Sequence, residues 1–342
     1  MNKLNLLLLF GGESPEHDIS ILSAKNVSGA INLKKYQVLH CYITKNGAWV
    51  LQDNWNGQAP TDDGDTLAFI PGSKQLMNVS KDSTYDIDVV FPVLHGKNGE
   101  DGTVQGLFSI MHLPVVGCNV EASAICMHKD ATKRILSSYD ISVAKGITVR
   151  AGYDIDHVQT EMAKRIGNAP WFVKPSRVGS SIGVRKVVEN AELADAIDNA
   201  LQFDSTVLIE EAIIGRELEV AVLGNMPRHS ASVVGEIISG AEFYDYDDKY
   251  SEDSSSQLVT GAKVSADTEE EIRSIAERAF EYLGCAGLSR VDFLMDGNGK
   301  VYVNEVNTMP GFTNISMYPK LWQEQGISYT ELIDSLITLA LE

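Results

Sequence analysis

No stretch of this 342-residue chain approaches the 18 or more apolar residues of a membrane-spanning helix. The best signal-peptide candidate, Leu4 to Phe10, is short and has only Lys3 ahead of it. It runs into Gly11-Gly12-Glu13 with no small-residue cleavage site, so it reads as a buried strand. Positive charge is scarce: 28 Lys+Arg stand against 47 Asp+Glu, a net charge of −19. That balance argues against nucleic acid, whose phosphates need a cationic surface, and against an anionic membrane. An anionic small substrate stays open, because local Lys and Arg clusters override net charge. Cysteine is sparse too. Cys41, Cys118, Cys126 and Cys285 show no C-x-x-C spacing, so neither zinc nor a redox pair is indicated. Four scattered thiols in so long a chain predict a reducing, cytoplasmic setting. Two phosphate-binding fingerprints are missing as well: there is no G-x-x-x-x-G-K-[ST] and no G-x-G-x-x-G. The second absence removes the fingerprint a dehydrogenase would carry.

What is present fits an ordinary globular protein, with 44% apolar and 22% charged residues. At roughly 150 residues per domain the length predicts two or three domains. The first third alternates apolar runs with amphipathic segments. Leu6 to Phe10 is a continuous apolar strand, as in a parallel sheet covered on both faces. Residues 18–31 place Ile21, Leu22, Val27 and Ile31 near one helical face. Val38 to Ile43 and Val89 to Phe91 are further strands, and residues 53–66 form a surface excursion. This alternation predicts a doubly wound α/β unit of about 120 residues. Ala131 to Tyr139 reads as a helix, Trp171 to Pro175 and Val207 to Glu210 as strands, with a helix near 191–201 between them. Residues 239–257, with Gly/Ser-rich edges around Phe243 to Tyr250, predict a long functional loop. Asp267 to Leu283 is the clearest helix. Thr268 and Glu271 have capping-box spacing, and Gly284 supplies the stop. Two strands follow, Ser289 to Leu294 and Lys300 to Val306, joined by a turn ending in Asn298-Gly299.

Four constellations carry chemistry. On that hairpin, Arg290 and Asp292 share one face by the i, i+2 rule, and so do Glu305 and Asn307. If the faces pair, two carboxylates and an amide oxygen converge beside a guanidinium. Hard oxygen ligands of this kind suit Mg²⁺, especially Mg²⁺ carrying nucleotide phosphates. The alternative is a polar hairpin face meeting solvent. Pro310-Gly311, just beyond, adds a turn that presents backbone N–H groups to an anion. The second constellation is the strand-end Lys174 and the small-residue loop through Ser180-Ser181 to Gly183. It either lets backbone N–H groups approach phosphate or is a plain turn. The third is His95 to Thr103, either an anion site at a helix start or a glycine-rich connector with Asp101 as N-cap. His95 is either a substrate contact or a structural donor. In the fourth, Gly11 to Asp18, Glu16 either binds a substrate ammonium or complements a helix dipole.

Together these motifs resemble the D-alanine–D-alanine ligases, ATP-grasp carboxylate–amine ligases, over essentially the whole chain. The most specific pieces are Phe91 to Gly96, Gly99 to Gly106, Phe172 to Ser181, Phe243 to Tyr250 and Asn304 to Pro319. The resemblance implies an α/β chain, α+β in its C-terminal half, with an ATP-grasp fold. An N-terminal doubly wound parallel-sheet substrate domain (1–125) would precede two antiparallel-sheet ATP-binding units. These are a central one (126–212) and a C-terminal one (213–342) carrying the metal site and active-site loop 239–257. It implies ATP and two Mg²⁺ ions as cofactors, with Mn²⁺ as a substitute, and D-alanine as substrate for peptidoglycan precursors. It also implies a cytoplasmic homodimer that engages neither nucleic acid nor membrane.

Carried over position by position, Lys129 and Lys174 match phosphate lysines. Glu210 and Glu211 fall at the adenine-contacting strand end, Glu217 matches the ribose carboxylate, and Lys249 matches a residue that contacts the γ-phosphate. Asp292, Glu305 and Asn307 match the metal ligands. Arg290 and the Gly311 N–H match the group that stabilises the tetrahedral oxyanion. Glu16 matches the carboxylate that holds the first ammonium, with Ser180 and Tyr250 as its partners and His95 nearby. Ser316 and Met317 match the segment that binds the second carboxylate. Tyr250 favours an amine as second substrate over D-lactate, and Met317 favours plain D-alanine; the same chemistry with D-lactate or D-serine as second substrate is the alternative. A catalytically silent ATP-binding protein on the same fold is the rival of another class. His128 departs from the family pattern, standing where many relatives have Asp, and Glu211 stands where some have Lys.

Overall fold

The structure, a computed structural model, describes residues 3–238 and 256–342. Lys249, Tyr250 and most of the predicted loop 239–257 therefore lie outside the described residues. The chain starts with β1 (Leu4–Gly11), in which Leu6 to Phe10 expose no surface. Such a strand needs cover on both faces, and its neighbours supply it. The helix α1 (His17–Ala30) follows, then β2 (Tyr36–Ile43) and β3 (Trp49–Leu51). A small meander comes next, β4 (Leu67–Phe69), β5 (Gln75–Asn78) and β6 (Ser83–Asp86), and then β7 (Val89–Val93) and α2 (Thr103–Ile110). β1 lies between β2 and β7 and runs parallel to both, with β3 as an antiparallel edge. Parallel strands all deliver their C-terminal ends to one edge of the sheet. The loops after β1 and β7 therefore meet there.

Two helices, α3 (Val120–Met127) and α4 (Lys129–Ser138), lead to a four-stranded antiparallel sheet. It is built from β8 (Gly146–Arg150), β9 (Trp171–Pro175), β10 (Arg185–Val187) and β11 (Thr206–Glu211), in the order β10-β9-β11-β8. Its core is formed with α5 (Ile155–Arg165) and α6 (Leu193–Ala200), through Val158, Met162, Leu193 and Ile197.

The last part holds β12 (Gly215–Asn225), β13 (Arg228–Ala231), β14 (Gly235–Ile238) and β15 (Gln257–Thr260). These are followed by α7 (Ala266–Tyr282), β16 (Gly287–Asp296), β17 (Val301–Asn307), α8 (Met317–Glu324) and α9 (Tyr329–Ala340). Its antiparallel sheet runs β15-β14-β12-β16-β17, with β13 also on β12. The predicted turn forms, with the Gly299 N–H donating to the Asp296 carbonyl at 2.9 Å. The N-cap of α7 differs from the predicted one. Ser265 accepts from the Thr268 N–H at 3.1 Å, because the helix starts at Ala266, earlier than the Thr268–Glu271 spacing implied. All four cysteines are buried free thiols.

Packing crosses the sequence order. Ala122, Cys126 and Leu136 from α3 and α4 share one core with Val291, Phe293 and Val303 of the last sheet. Tyr318, Leu321, Leu332 and Leu336 from α8 and α9 pack with Leu6 and Phe91 of the first sheet. The chain's end thus closes onto its beginning and fixes the last sheet against the first.

Candidate active site

One cavity of about 350 Å³ lies where the three main sheets meet. Every predicted site residue within the described part of the chain lines it. The first sheet contributes Glu16 and His95, and α4 contributes Lys129. The central sheet brings Lys174, Ser180, Glu210 and Glu211. The last sheet and the turn after it bring Glu217, Arg290, Asp292, Glu305, Asn307, Gly311, Ser316 and Met317.

The hairpin register brings the two acidic faces together. Arg290 lies opposite Asn307 and Asp292 opposite Glu305, with a bulge directly after Asp292. Opposed residues on one face stand about 5 Å apart. The donors are two carboxylates and an amide oxygen, a set suited to a hard divalent cation. Among the described residues no three His, Cys, Asp or Glu side chains cluster as metal ligands, so any such ion would depend on Asn307 and on further oxygens. Protein cations neutralise these carboxylates meanwhile. Arg290 holds Asp292 through Nε and Nη2, both at 2.7 Å, and the Asn307 amide donates to Asp292 Oδ2 at 2.9 Å. Burial opposes the Arg290 charge, but Asp292 and Glu219 outweigh it and keep the guanidinium firmly protonated.

A lysine cluster adjoins this face. Lys129 pairs with Glu305 at 3.1 Å and donates to the Val178 carbonyl at 3.1 Å. Burial pushes its pKa down, yet Glu305 and Glu210 hold it above the ordinary lysine value. Glu210 is gripped by two ammonium groups, Lys133 at 2.5 Å and Lys174 on its other oxygen. Burial raises the Glu210 pKa, and the two lysines more than reverse that and leave it below the usual value. Lys133 is the partner that sequence reasoning missed. Its spacing of four from Lys129 on α4 was the available signal, since i and i+4 share a helix face. His128 caps α4, with Nδ1 accepting from the Ala131 N–H at 3.3 Å. The small-residue loop is anchored at its start by Asp204, which accepts from the Arg177 backbone N–H at 2.7 Å and from its guanidinium.

At the first sheet's edge, the Ser180 hydroxyl donates to Glu16 Oε1 at 2.5 Å, across the cleft. Ser180 and Ser181 both take positive φ, 53° and 58°. Consecutive non-glycine residues in this left-handed region cost energy, and the geometry places that strain at the contact with Glu16. The Ser14 hydroxyl donates to the His95 carbonyl at 2.7 Å and so joins the loops after β1 and β7. His95 is buried with both nitrogens engaged, Nδ1 on the Met309 carbonyl at 3.0 Å and Nε2 on the Ser23 hydroxyl at 3.2 Å. Burial lowers its pKa, so the ring is neutral, Nδ1 donates and Nε2 accepts. Ser316 precedes α8, and its hydroxyl accepts from the Thr313 N–H at 3.0 Å. Met317 lines the cavity while its side chain enters the core shared with the first sheet.

Two antiparallel sheets enclosing lysines and hard-oxygen donors, beside a parallel sheet, define the ATP-grasp class. Family models agree on a finer assignment: "D-ala D-ala ligase N-terminus" matches residues 5–118 and "D-ala D-ala ligase C-terminus" matches residues 135–338. The chain is 43% identical to D-alanine–D-alanine ligase A of Salmonella typhimurium, covering 100% of this chain and 97% of that protein. Its structure resembles the D-alanine–D-alanine ligase from Coxiella burnetii, with a TM-score of 0.89 and 36% identity over 100% of this chain and 94% of that one. It also resembles the VanG D-Ala:D-Ser ligase from Enterococcus faecalis, with a TM-score of 0.90 and 35% identity over 99% of this chain and 100% of that one. The chain belongs to the D-alanine–D-alanine ligase family.

Proposed function

We propose that this chain joins two D-alanine molecules at the expense of ATP, supplying the dipeptide for peptidoglycan precursors. The supporting observation is the single cavity in which Glu16 and Ser180 stand beside the Asp292–Glu305–Asn307 face and the Lys129–Lys174 wall. Glu16 holds the first D-alanine's ammonium, and His95 lies against it. A carboxylate oxygen of that D-alanine attacks the γ-phosphorus of ATP, and ADP leaves. The second D-alanine's amine then attacks the carbonyl carbon of the D-alanyl phosphate, and phosphate leaves. Arg290 and the Gly311 N–H face the oxyanion that forms in between. Lys129, Lys174 and Lys249 position the phosphates, Glu210 and Glu211 meet the adenine, and Glu217 the ribose. By the family resemblance Tyr250 partners the Ser180–Glu16 pair, and Ser316 and Met317 meet the second carboxylate.

Asp292, Glu305 and Asn307 would hold Mg²⁺, two ions in all, with Mn²⁺ as a substitute. Bound there, the metal supplies charge neutralisation to the nucleotide's terminal phosphates. The three units, 1–125, 126–212 and 213–342, would act as substrate, central and metal-bearing parts of a cytoplasmic homodimer. The decisive experiment offers D-alanine, D-serine and D-lactate together with ATP and Mg²⁺, and identifies products by mass spectrometry. D-alanyl-D-alanine, formed in step with ADP and phosphate, is expected. No dipeptide at saturating D-alanine would overturn the assignment, and D-alanyl-D-serine as main product would move it toward the VanG-like specificity.

A further inference from the structure

The cavity wall also includes Glu100, from the loop between β7 and α2, and an apolar stretch formed by Ile237 of β14, Leu258 of β15 and Met317 of α8. Met317 opens α8 beside the Gly311 turn, where a Cβ added to Gly311 would lie 2.7 Å from Ser316 Oγ. The end of the Met317 side chain rests on Gly235, the first residue of β14. Gly235 is buried within its sheet, paired with Glu219 of β12 on one side and Thr260 of β15 on the other. A glycine weakens a strand, so its presence there calls for a reason. Other glycines of this sheet are required by the backbone. A Cβ on Gly215 would strike the Met295 carbonyl, and Gly224 and Gly287 take φ of 130° and 70°. Gly235 has no such need, since its φ lies outside the left-handed region. The nearest atoms to an added Cβ would all belong to side chains: Met317 Sδ at 2.9 Å, Leu321 Cδ2 at 3.0 Å and Met317 Cε at 3.2 Å. Leu321 exposes no surface and lies in the core that joins α8 to the first sheet, so it has nowhere to retreat. Met317 is unbranched and flexible, and it borders the cavity. Any side chain at position 235 therefore turns the thioether into the cavity.

We propose that Gly235 is a positioning residue for the second-substrate site: lacking a side chain, it gives Met317 a seat in the wall and so keeps open the room that the second D-alanine fills. This inference rests on the ligase function proposed above, in which Ser316 and Met317 meet the second substrate's carboxylate. Gly235 does not itself line the cavity and acts only through Met317. Its influence is therefore confined to one of the two steps. Transfer of the γ-phosphoryl group to the first D-alanine uses the Glu16, lysine and hairpin residues and needs no acceptor amine. Attack on the acyl phosphate needs the second D-alanine to fit beside Ser316 and Met317, and a thioether displaced toward it by a methyl group takes up that space.

Gly235→Ala tests this on the full-length enzyme with ATP and Mg²⁺. Two readouts separate the sites. Hydroxylamine, small and in excess, captures the D-alanyl phosphate as D-alanyl hydroxamate and so reports ATP and the first D-alanine alone. Dipeptide formation reports the second D-alanine as well. Hydroxamate formation, in rate and in KM for D-alanine, should stay within about two-fold of the unmodified enzyme. The D-alanine concentration that half-saturates dipeptide formation should rise about 10-fold or more, the effect of one methyl-sized group in a pocket. The substitution is then repeated in a Met317→Ala background, which removes Sδ and Cε and gives Leu321 room. There Gly235→Ala should change dipeptide formation by less than about two-fold, because the atoms it would push are gone. An unchanged D-alanine requirement in Gly235→Ala overturns the proposal. So does a parallel loss of hydroxamate and dipeptide, which would make Gly235 a residue of folding only. A selective loss that persists undiminished in the Met317→Ala background overturns it too. If the unmodified enzyme forms neither product, the ligase assignment itself fails.

Discussion

Glu305 and Lys133 show how single side chains divide the work in the cavity. Glu305 offers oxygens to a divalent cation while holding Lys129 at 3.1 Å. Glu305→Gln keeps the shape and removes the charge. Turnover should fall by at least about 100-fold, with more Mg²⁺ needed to reach half-activity, as a Mg²⁺ titration would show. Activity like that of the unmodified enzyme would disprove the metal assignment. Lys133 acts differently, because it points at protein. It shares the buried Glu210 carboxylate with Lys174. Lys133→Met leaves that carboxylate one cation short in a desolvated wall. A loss of about 3 kcal/mol in urea unfolding is expected, the usual cost of breaking a buried pair. The KM for ATP should also rise, because Lys174 is then drawn wholly onto Glu210. Face spacing on the hairpin suggested Glu305 and the family resemblance suggested Lys129, whereas Lys133 and Glu100 were not singled out. The i, i+4 spacing marks the helix face of Lys133, but which partner it meets on another sheet leaves no mark in its own segment.

At the scale of elements, termini and turns matter more than propensity. The α9 helix carries a complete capping box. The Glu331 N–H donates to the Ser328 hydroxyl at 3.3 Å, and the Glu331 carboxylate accepts from the Ser328 N–H at 2.9 Å. The buried face of α9, Leu332, Ile333, Leu336 and Ile337, helps close the last part of the chain onto the first sheet. Ser328→Ala should cost about 1 kcal/mol, read as a lower denaturant midpoint at unchanged slope. The strands and this hairpin were legible because a continuous apolar run and an Asn-Gly turn are local signals. The earlier start of α7 was not, since Ser265 and Thr268 both satisfy cap chemistry and only the backbone path chooses between them.

Across the whole molecule, 47 acidic residues against 28 basic ones set the response to pH. Asp204 and Glu210 matter most among the carboxyls described above. Burial raises both pKa values, but the Arg177 hydrogen bonds for Asp204 and the lysine charges for Glu210 leave each below its ordinary value. A carboxyl depressed in the fold contributes stability that is fully present above its unfolded pKa, near 4. That contribution is lost as pH falls through the folded value. The contribution of these two carboxyls should therefore hold steady above about pH 5 and fall away below about pH 4, which lowers the thermal midpoint there. Asp204→Asn should lower the midpoint at neutral pH and flatten the acid limb in a melting series. An unchanged acid limb would show that Asp204 titrates normally.

The sequence by itself determined many of the elements and several of the cavity's residue types through short-range pattern, namely apolar runs, i and i+2 faces, and small-residue loops after strands. The ATP-grasp class came from the resemblance of whole motifs to a family. Tertiary structure alone decided which charges pair. Lys129 with Glu305 and Lys133 with Glu210 each join segments that are far apart in the chain. It also decided that Glu100 stands without a counter-ion among the described residues, a property set by everything packed around it. Ion pairing and desolvation act through space over a few ångströms, whereas sequence pattern records only distance along the chain.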